Sequence, residues 1–353
     1  MSIQITGAGS FIPANEITNE DFAQHHFLSD DGTTLPHTND IVIGKFKDIT
    51  GISSRRYADD NILSSDMAFF ASQKAIENAG IDPETIDYII LAHNFGDVRK
   101  GAIQSDSVPS LASRVKQKLG IKNPKCVAYD ILFGCPGWVE GMIQAYAFIK
   151  AGMAKKCLVI GAETLSRVVD LHDRDSMIYA DGAGATIVEL TSDENSGILA
   201  HESATFAYEE AGFLYFGNSY NKDLDPDVRY IKMYGRKIYE FALNQVPKAM
   251  KECVDKSGIA INDIKKVLIH QANEKMDEAI INRFYKLYGQ NPPENIMPMS
   301  IHKLGNSSVA TVPTLFDLLT SGRLEGQQLH KGEVIIFASV GAGMNVNAIV
   351  YRY

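Results

Sequence analysis

Asp130-Ile-Leu-Phe-Gly-Cys-Pro-Gly-Trp138 places a cysteine between an apolar run and a helix signature. The apolar residues 126–133 predict a buried strand, and the glycine before the cysteine supplies a tight turn. Pro136 suits the first position of a helix, and residues 139–151 carry apolar side chains at helical spacing. A helix N-terminus lowers the pKa of a nearby thiol, so the segment predicts a nucleophilic Cys135. A buried structural cysteine explains this segment alone equally well.

Two later segments add polar residues at similar junctions. His270 ends the apolar run Val267-Leu-Ile-His270, and Asn306 follows a glycine in Leu304-Gly-Asn-Ser-Ser308. A hydrogen-bonded core histidine and a helix N-cap are the simpler explanations for each residue alone. Together with Cys135, however, they predict a single site.

Composition limits the class of protein. The chain has 353 residues, of which 45% are hydrophobic, and a formal net charge of −9, which argues against nucleic-acid binding. Its four cysteines are widely spaced, which fits a reducing compartment without disulfides and predicts no metal site. We see no secretory signal and no apolar run long enough for a membrane span, so a cytoplasmic protein is expected.

The chain also shows internal similarity, which predicts a duplicated α/β fold. Ile86–Asn94 resembles Ile264–Ala272, and Phe133-Gly-Cys135 resembles Leu304-Gly-Asn306. Each half closes on a Gly-Ala-Gly turn that enters a strand. Strands that alternate with helices imply mixed sheets covered by helices. We therefore predict an N-terminal half at 1–190, with the cysteine, and a C-terminal half at 191–353, with the histidine and asparagine.

Two regions depart from this alternation. Residues 25–61 are irregular and polar, and we expect them on the surface near the site. Residues 195–235 are rich in Gly, Asp, Asn and Tyr and are interpreted as loops or an insertion.

These segments resemble the thiolase-like superfamily of condensing enzymes, and β-ketoacyl-acyl-carrier-protein synthase III in particular. The resemblance runs the full length of the chain and rests on Gly7–Pro13, Thr50–Arg55, Asp181–Ala185, His270–Asn273 and Gly305–Ser307. It implies a five-layer α-β-α-β-α fold made of two duplicated halves, and a homodimer. It implies no cofactor.

The resemblance also implies an activity and its residues. Cys135 would accept an acyl primer, and the primer would then undergo decarboxylative Claisen condensation with a malonyl- or β-ketoacyl-type thioester on a carrier protein. His270 and Asn306 would bind the extender carbonyl and stabilise the enolate. The backbone N–H groups of Cys135 and Ala342 would form an oxyanion hole, although the family commonly has glycine at the second position. The pathway would be of the fatty acid or polyketide type.

Departures from the family pattern bear on the substrate. Lys45 and Ile49 stand where a Trp and an Arg hold the adenine of CoA, so a carrier protein is the expected primer donor. Val108 aligns with the residue that gates the primer pocket, which can come from the partner subunit, and its small size predicts a longer primer. Phe133 and His93 are also expected in the pocket, although a surface position is the simpler assumption for His93.

An acidic carrier protein needs a basic docking surface. Arg236, Lys237 and Lys275 are the candidates, and Lys275 matches a basic docking position in the family. A solvated helix face explains any one of them more simply.

Three alternative functions compete with this one, and the sequence argues against the last two. Some related enzymes condense longer extenders and cyclise the product, as in dialkylresorcinol formation. A thiolase needs a second cysteine near the C-terminus, and none follows Cys253. A non-catalytic ketosynthase partner would lack the nucleophile.

Overall fold

The computed structural model describes residues 2–193 and 196–353. Residue 1, where the first predicted half begins, lies outside the described residues. The strands in 2–193 are β1 (Ser2–Phe11), β2 (Asn15–Thr18), β3 (Ser54–Tyr57), β4 (Tyr88–Ala92), β5 (Asp97–Val98), β6 (Ser105–Asp106), β7 (Val127–Ile131), β8 (Lys156–Thr164) and β9 (Asp181–Thr191). The helices there are α1 (Asn39–Thr50), α2 (Ser64–Ala79), α3 (Leu111–Lys118) and α4 (Gly137–Lys150).

The strands in 196–353 are β10 (Gly197–Thr205), β11 (Leu214–Gly217), β12 (Tyr230–Met233), β13 (Ile264–Ile269), β14 (Val334–Gly341) and β15 (Asn345–Arg352). The helices are α5 (Gly235–Ser257), α6 (Glu274–Lys286), α7 (Ile301–Leu304) and α8 (Thr311–Thr320). Short 3₁₀ helices lie at Glu20–Phe22, Pro83–Thr85, Leu165–Arg167, Arg174–Ile178, Ala211–Phe213, Ile261–Asp263, Ser308–Ala310 and Ala342–Met344.

Two mixed sheets form the framework. The first has the strand order β1-β9-β8-β4-β7, with β4 parallel to both β7 and β8, and β9 antiparallel to β1 and β8. The second has the order β10-β15-β14-β13, with β13 parallel to β14 and β15 antiparallel to its neighbours. The strands of the first sheet all come from residues 2–191, and those of the second all come from residues 197–352.

Side chains alternate along the central strands between two apolar layers. In β8, Leu158 and Ile160 pack against α2 and α3, whereas Cys157 and Val159 face α4. In β14, Phe337 packs towards α4 and α8, and its neighbours pack on the α5 and α6 side. Because successive residues of a strand point to opposite faces, each sheet is buried on both sides.

The helices α4 and α8 share the layer between the sheets. Trp138 of α4 is fully buried and meets the ring of Phe337 at 5.3 Å, and Phe316 of α8 lies 5.4 Å from the same ring. A helix with apolar side chains over most of its surface is stable only in such a central position. The order is therefore helices, sheet, helices, sheet, helices, and the predicted five-layer α/β fold is confirmed.

Three predictions about elements need correction. The strand predicted at 126–133 is shorter, and β7 is a half-exposed edge strand rather than a buried one, because β4 is its only neighbour among the described strands. Residues 25–61 contain the helix α1, whose Val42 and Phe46 are buried. The described residues from 196 to 235 include β10, which is part of the second sheet, as well as the hairpin β11–β12.

Candidate active site

Cys135, His270 and Asn306 all line one cavity of about 1190 Å³. Cys135 lies in the turn between β7 and α4, His270 directly follows β13, and Asn306 lies between α7 and α8. The cavity is larger than the roughly 300–1,000 Å³ common for small-molecule sites. The three residues that the sequence singled out at separate junctions thus meet at the wall of one pocket.

The turn before Cys135 packs directly on the turn after β14. Gly134 has a φ of 68°, and a Cβ added there would lie 2.6 Å from the backbone nitrogen of Ala342. A Cβ at Gly341 would in turn overlap the backbone nitrogen of Cys135. Glycine is needed at both positions for this close approach, which puts the backbone of Cys135 beside that of Ala342.

The ionisation of Cys135 differs from the sequence-based prediction. Burial raises the pKa of its thiol to about 11, although a hydrogen bond from Ser308 works in the opposite direction. Pro136 precedes the first residue of α4, so the thiol does lie at the helix N-terminus as predicted. The predicted lowering of the pKa is nevertheless wrong, because loss of solvent outweighs the favourable contacts.

His270 is a buried and neutral histidine. Burial lowers its pKa to about 4, and Nδ1 has no hydrogen-bond partner among the described residues. Its backbone N–H donates to the carbonyl of Ala338 at 2.8 Å, which fixes the residue at the end of β13. A neutral imidazole has one N–H donor to offer a substrate oxygen.

Asn306 is held on three sides. Its backbone N–H donates to Ile178 O at 2.9 Å, and its carbonyl accepts from Ala180 N at 2.8 Å. Its side-chain Oδ1 accepts the N–H of Ser308 at 2.7 Å. Because the two ends of an amide point in different directions, this contact turns the NH₂ group away from Ser308 and makes it available as a donor.

Sequence reasoning did not single out three residues behind the cysteine. Ser308 Oγ donates to Cys135 Sγ at 3.3 Å and accepts from Asn94 Nδ2 at 3.0 Å. Asn94 Nδ2 also donates to Glu163 Oε1. Ser308 and Asn94 fall inside segments used above for the asparagine and for the internal repeat, so their polar side chains after apolar runs were a signal. The position of Glu163 required the fold.

The residues predicted for the substrate pocket do not line this cavity. Val108 is 88% exposed, and Phe133 contributes its carbonyl to a 3.2 Å hydrogen bond from Asn345. His93 is buried, with Nε2 3.1 Å from Asp130 Oδ2, and Nδ1 accepts the N–H of Gly96 at 2.9 Å. These contacts give His93 a structural role in this chain, and Val108 lies outside the cavity lining.

Apolar and aromatic side chains form much of the cavity wall instead. They include Leu28, Leu35, Val42, Phe46, Phe95, Leu165, Ile178, Tyr179, Leu214, Phe216, Tyr220, Ile231, Met233, Ile238 and Met276. Lys45 and Ile49, the residues expected at the family's adenine-binding positions, also line it. Several of these residues come from α1 and the β11–β12 hairpin, the two regions interpreted as irregular from the sequence.

The predicted docking residues are exposed. Arg236 lines the cavity, and its side chain is 92% exposed, with Nε 2.9 Å from Glu240. Lys237 lies over the rings of Phe213 and Tyr234. Lys275 is exposed in the first turn of α6, beside the cavity-lining Met276. All three are accessible to a protein that delivers a substrate.

Within residues 2–193 and 196–353, no group of three or more His, Cys, Asp or Glu side chains could hold a metal ion. None of the helices described there has both the length and the apolar character to cross a membrane.

A five-layer thiolase-like fold with Cys, His and Asn on one cavity defines a condensing enzyme. Family models for 3-oxoacyl-[acyl-carrier-protein] synthase III and for its C-terminal region match residues 129–206 and 254–353. β-Ketoacyl-[acyl-carrier-protein] synthase III 1 of Bacillus cereus is 32% identical over 100% of this chain and 99% of its own. The chain belongs to the 3-oxoacyl-[acyl-carrier-protein] synthase III family.

Further relatives support membership of the same family. The Neisseria meningitidis serogroup B β-ketoacyl-[acyl-carrier-protein] synthase III is 32% identical over 99% of both chains. The crystal structure of 3-oxoacyl-[acyl-carrier-protein] synthase III from Aquifex aeolicus superposes with a TM-score of 0.80, 29% identity and complete coverage of both chains. The predicted class, an acyltransferase that works by Claisen condensation in fatty acid or polyketide-type biosynthesis, is confirmed.

Proposed function

We propose that this protein loads an acyl primer on Cys135 and condenses it with a malonyl- or β-ketoacyl-type thioester carried by an acyl carrier protein. The observation that carries this proposal is the convergence of Cys135, His270 and Asn306 on one cavity. Covalent capture divides the reaction into acyl transfer and carbon–carbon bond formation.

In acyl transfer, the sulfur of Cys135 attacks the primer thioester. The turn of Gly134 packs against Ala342, which supports a role for the backbone N–H groups of Cys135 and Ala342 as an oxyanion hole. Such preorganised donors stabilise the negative charge that develops on the thioester oxygen.

In condensation, the extender loses CO₂ and its enolate attacks the primer carbonyl. His270 is neutral because burial lowers its pKa to about 4, so it donates a hydrogen bond without giving up a full proton. The Asn306 amide supplies a second donor. Two such donors favour the enolate oxygen over the neutral thioester.

The residues at the mouth of the cavity support delivery of the primer by a carrier protein. Lys45 and Ile49 offer no aromatic face for an adenine ring, which removes a stacking and cation–π contribution. Arg236, Lys237 and Lys275 are exposed nearby and can meet the acidic surface of a carrier.

We also propose a homodimer that forms along β7. This strand lies at the sheet edge, and the exposed fraction is 46% for Val127 and 70% for Leu132. Exposed edges with apolar side chains are normally covered by another chain. A dimer would also allow Val108 to reach the partner's cavity. With four free cysteines, a cytoplasmic location stays a prediction.

The size of the cavity favours one more specific candidate. A volume of about 1190 Å³ accommodates two acyl chains of substantial length, as condensation with a β-ketoacyl extender and subsequent cyclisation would require. This condensing and cyclising activity is the second candidate function.

Intact-mass measurement after incubation with a panel of acyl-carrier and acyl-CoA thioesters tests the proposal. We expect a mass increase equal to the acyl group, and its loss in Cys135→Ala. The matched controls Cys126→Ala, Cys157→Ala and Cys253→Ala remove buried cysteines and should load normally. Acylation that persists in Cys135→Ala would refute the assignment, and a cyclised product would identify the second candidate.

A further inference from the structure

Ser308 touches both parts of the proposed machinery through different atoms. Its backbone N–H donates to Asn306 Oδ1 at 2.7 Å, and its hydroxyl donates to Cys135 Sγ at 3.3 Å. Its φ is 52°, in the left-handed region that residues with a side chain rarely adopt. Such a conformation persists only where the surroundings hold it, and it occurs most often at functional sites.

Asn94 fixes the direction of the Ser308 hydroxyl. Its Nδ2 donates to Ser308 Oγ at 3.0 Å and also donates to Glu163 Oε1. Both hydrogens of that nitrogen are therefore used, and the hydroxyl, which accepts one of them, directs its own proton towards sulfur. A thiolate can only accept a hydrogen bond, whereas a thiol also donates one. The hydrogen bonds from Asn94 to Ser308 and from Ser308 to the sulfur therefore suit the thiolate form of Cys135.

Glu163 anchors the other end of this chain of contacts. It is 1% exposed on β8, and burial, together with the nearby Asp181, raises its pKa well above the usual range. This favours the neutral acid, whose carbonyl oxygen still accepts from Asn94. A charged Glu163 would oppose a thiolate on Cys135.

Two other titratable side chains of the cavity are neutral. Burial raises the pKa of Tyr179 and lowers that of His270, and both line the same cavity. Asp181, the neighbour of Glu163, accepts from Ser166 and from the backbone of Ala58. Three further carboxyl groups line the cavity, those of Asp30, Asp173 and Asp175.

We propose that Ser308 is a catalytic hydrogen-bond donor to the thiolate of Cys135, and that Asn94 and Glu163 are positioning residues that act through it. During acyl transfer the Cys135 S–H bond breaks, the new S–C bond to the primer forms, and the carrier's C–S bond breaks. The proton ends on the departing carrier thiol, and Ser308 keeps its own proton throughout. The inference rests on the proposed role of Cys135 as acyl acceptor.

The pH dependence of Cys135 alkylation by iodoacetamide, followed by intact mass on the full chain, tests this directly. Ser308→Ala retains the backbone N–H that holds Asn306 and removes only the hydroxyl. Loss of a hydrogen bond to a charged group should raise the thiol pKa by about one unit, which makes alkylation at pH 8 about tenfold slower. Cys135→Ala corrects for the other cysteines.

Ser307→Ala is the matched control, because it makes the same change one residue earlier, where the hydroxyl contacts Thr311 at 3.4 Å. It should leave the alkylation profile unchanged. An unchanged profile in Ser308→Ala, with its melting temperature retained, would overturn the proposal, as would an equal shift in both variants.

The positioning residues have their own test. Asn94→Ala and Glu163→Ala should each slow alkylation at pH 8 several-fold, since the hydroxyl loses its fixed direction. Glu163→Gln keeps a neutral carbonyl acceptor and should restore the rate to within about twofold of wild type. A Gln variant as slow as the Ala variant would contradict the neutral state assigned to Glu163.

Alkylation needs no acyl substrate, so the two proposals can fail separately. A slow Ser308→Ala variant in a protein that loads no primer would keep the hydrogen-bond assignment and refute the proposed function. Normal primer loading with unchanged alkylation in Ser308→Ala would do the opposite.

Discussion

At the scale of single residues, the candidate site combines a thiol whose pKa is raised with a neutral histidine. Burial raises the pKa of Cys135 to about 11 and lowers that of His270 to about 4, so neither group carries a charge at neutral pH. The same loss of solvent strengthens every hydrogen bond made to a charge that appears during the reaction. The site is therefore suited to stabilise transient anions rather than permanent ones.

Removal of either enolate donor should impair condensation selectively. His270→Ala and Asn306→Ala are each expected to slow the condensation step about 10²–10³-fold, as for other oxyanion donors. Primer loading on Cys135, measured by intact mass, should be retained because the first step uses other donors. Loss of loading together with normal extender decarboxylation would contradict this division of roles.

The depressed pKa of His270 predicts an acid sensitivity of the fold. The unfolded state binds a proton near pH 6.5 and the folded state only near pH 4, so stability falls as pH falls through this window. Between pH 7 and pH 4.5 His270 should account for about 2 kcal/mol of the lost free energy of unfolding.

Urea unfolding of His270→Gln at the two pH values measures this contribution. The variant should lose less stability on acidification than the wild type. His201, for which burial is only partial, provides the comparison variant His201→Gln, which should behave as wild type. Equal acid sensitivity of all three proteins would refute the prediction.

The residues that meet at the cavity could be picked out from the sequence because local turn chemistry marks their positions. Gly134, Pro136 and the apolar runs on either side are visible without any tertiary information. The ionisation of Cys135 and the contacts of His93 depend instead on what the fold brings next to them. Those predictions failed because burial, and a carboxylate 37 residues away in Asp130, cannot be inferred from spacing.

At the scale of elements, the sequence pattern of β7 does not agree with the position of that strand in its sheet. Its residues are apolar enough for a central strand, yet they lie at the edge, because nothing in one sequence gives the order of strands in a sheet. Similarly, the sequence did not predict the helix α1, because polar residues flank it and a glycine lies at position 44. Its buried Val42 and Phe46 contribute to the cavity although the whole segment was expected to be irregular.

Disruption of the β7 edge should dissociate the proposed dimer. Leu132→Lys puts a charge on a side chain that is 70% exposed in the single chain, and we expect the dimer dissociation constant to rise at least about tenfold. Sedimentation velocity over a concentration series measures it.

Leu287→Lys is a matched control for this experiment, because Leu287 is 45% exposed at the end of α6, away from the β7 edge. It should leave the association state unchanged. A wild-type protein that is monomeric at high concentration would refute the dimer.

At the scale of the whole molecule, the cavity and its mouth set the choice of primer. We expect specificity constants to rise with acyl length by roughly 0.8 kcal/mol per buried CH₂ until the cavity is full. Carrier-bound primers should be used better than the matching CoA thioesters, since Lys45 and Ile49 replace the adenine-binding pair. Steady-state kinetics with both series measures this.

Charge reversal separates the docking surface from the pocket. Lys275→Glu and Arg236→Glu should weaken the use of carrier-borne primers more than that of a small thioester mimic. Lys331→Glu, an exposed change outside the cavity lining, is the control. If acetyl-CoA proved the best primer, both the carrier and the primer-length inferences would be wrong.

The α/β class could be predicted from the alternation of strands and helices, and the five-layer arrangement from the resemblance to the thiolase-like superfamily. The boundary at about residue 190 stays a prediction. The central layer is harder to foresee, because the ring of Trp138 meets that of Phe337, a residue 199 positions further along the chain. No periodic pattern in a sequence indicates a contact between residues so far apart in the chain.

The shared layer of α4 and α8 means that neither half of the chain can work as a separate piece. A chain divided after residue 193 would leave Cys135 on one fragment and His270 with Asn306 on the other. Each fragment would also expose an apolar sheet face that α4 or α8 of the other fragment normally covers. This architecture therefore predicts fragment complementation, in which catalysis appears only when the two pieces are mixed.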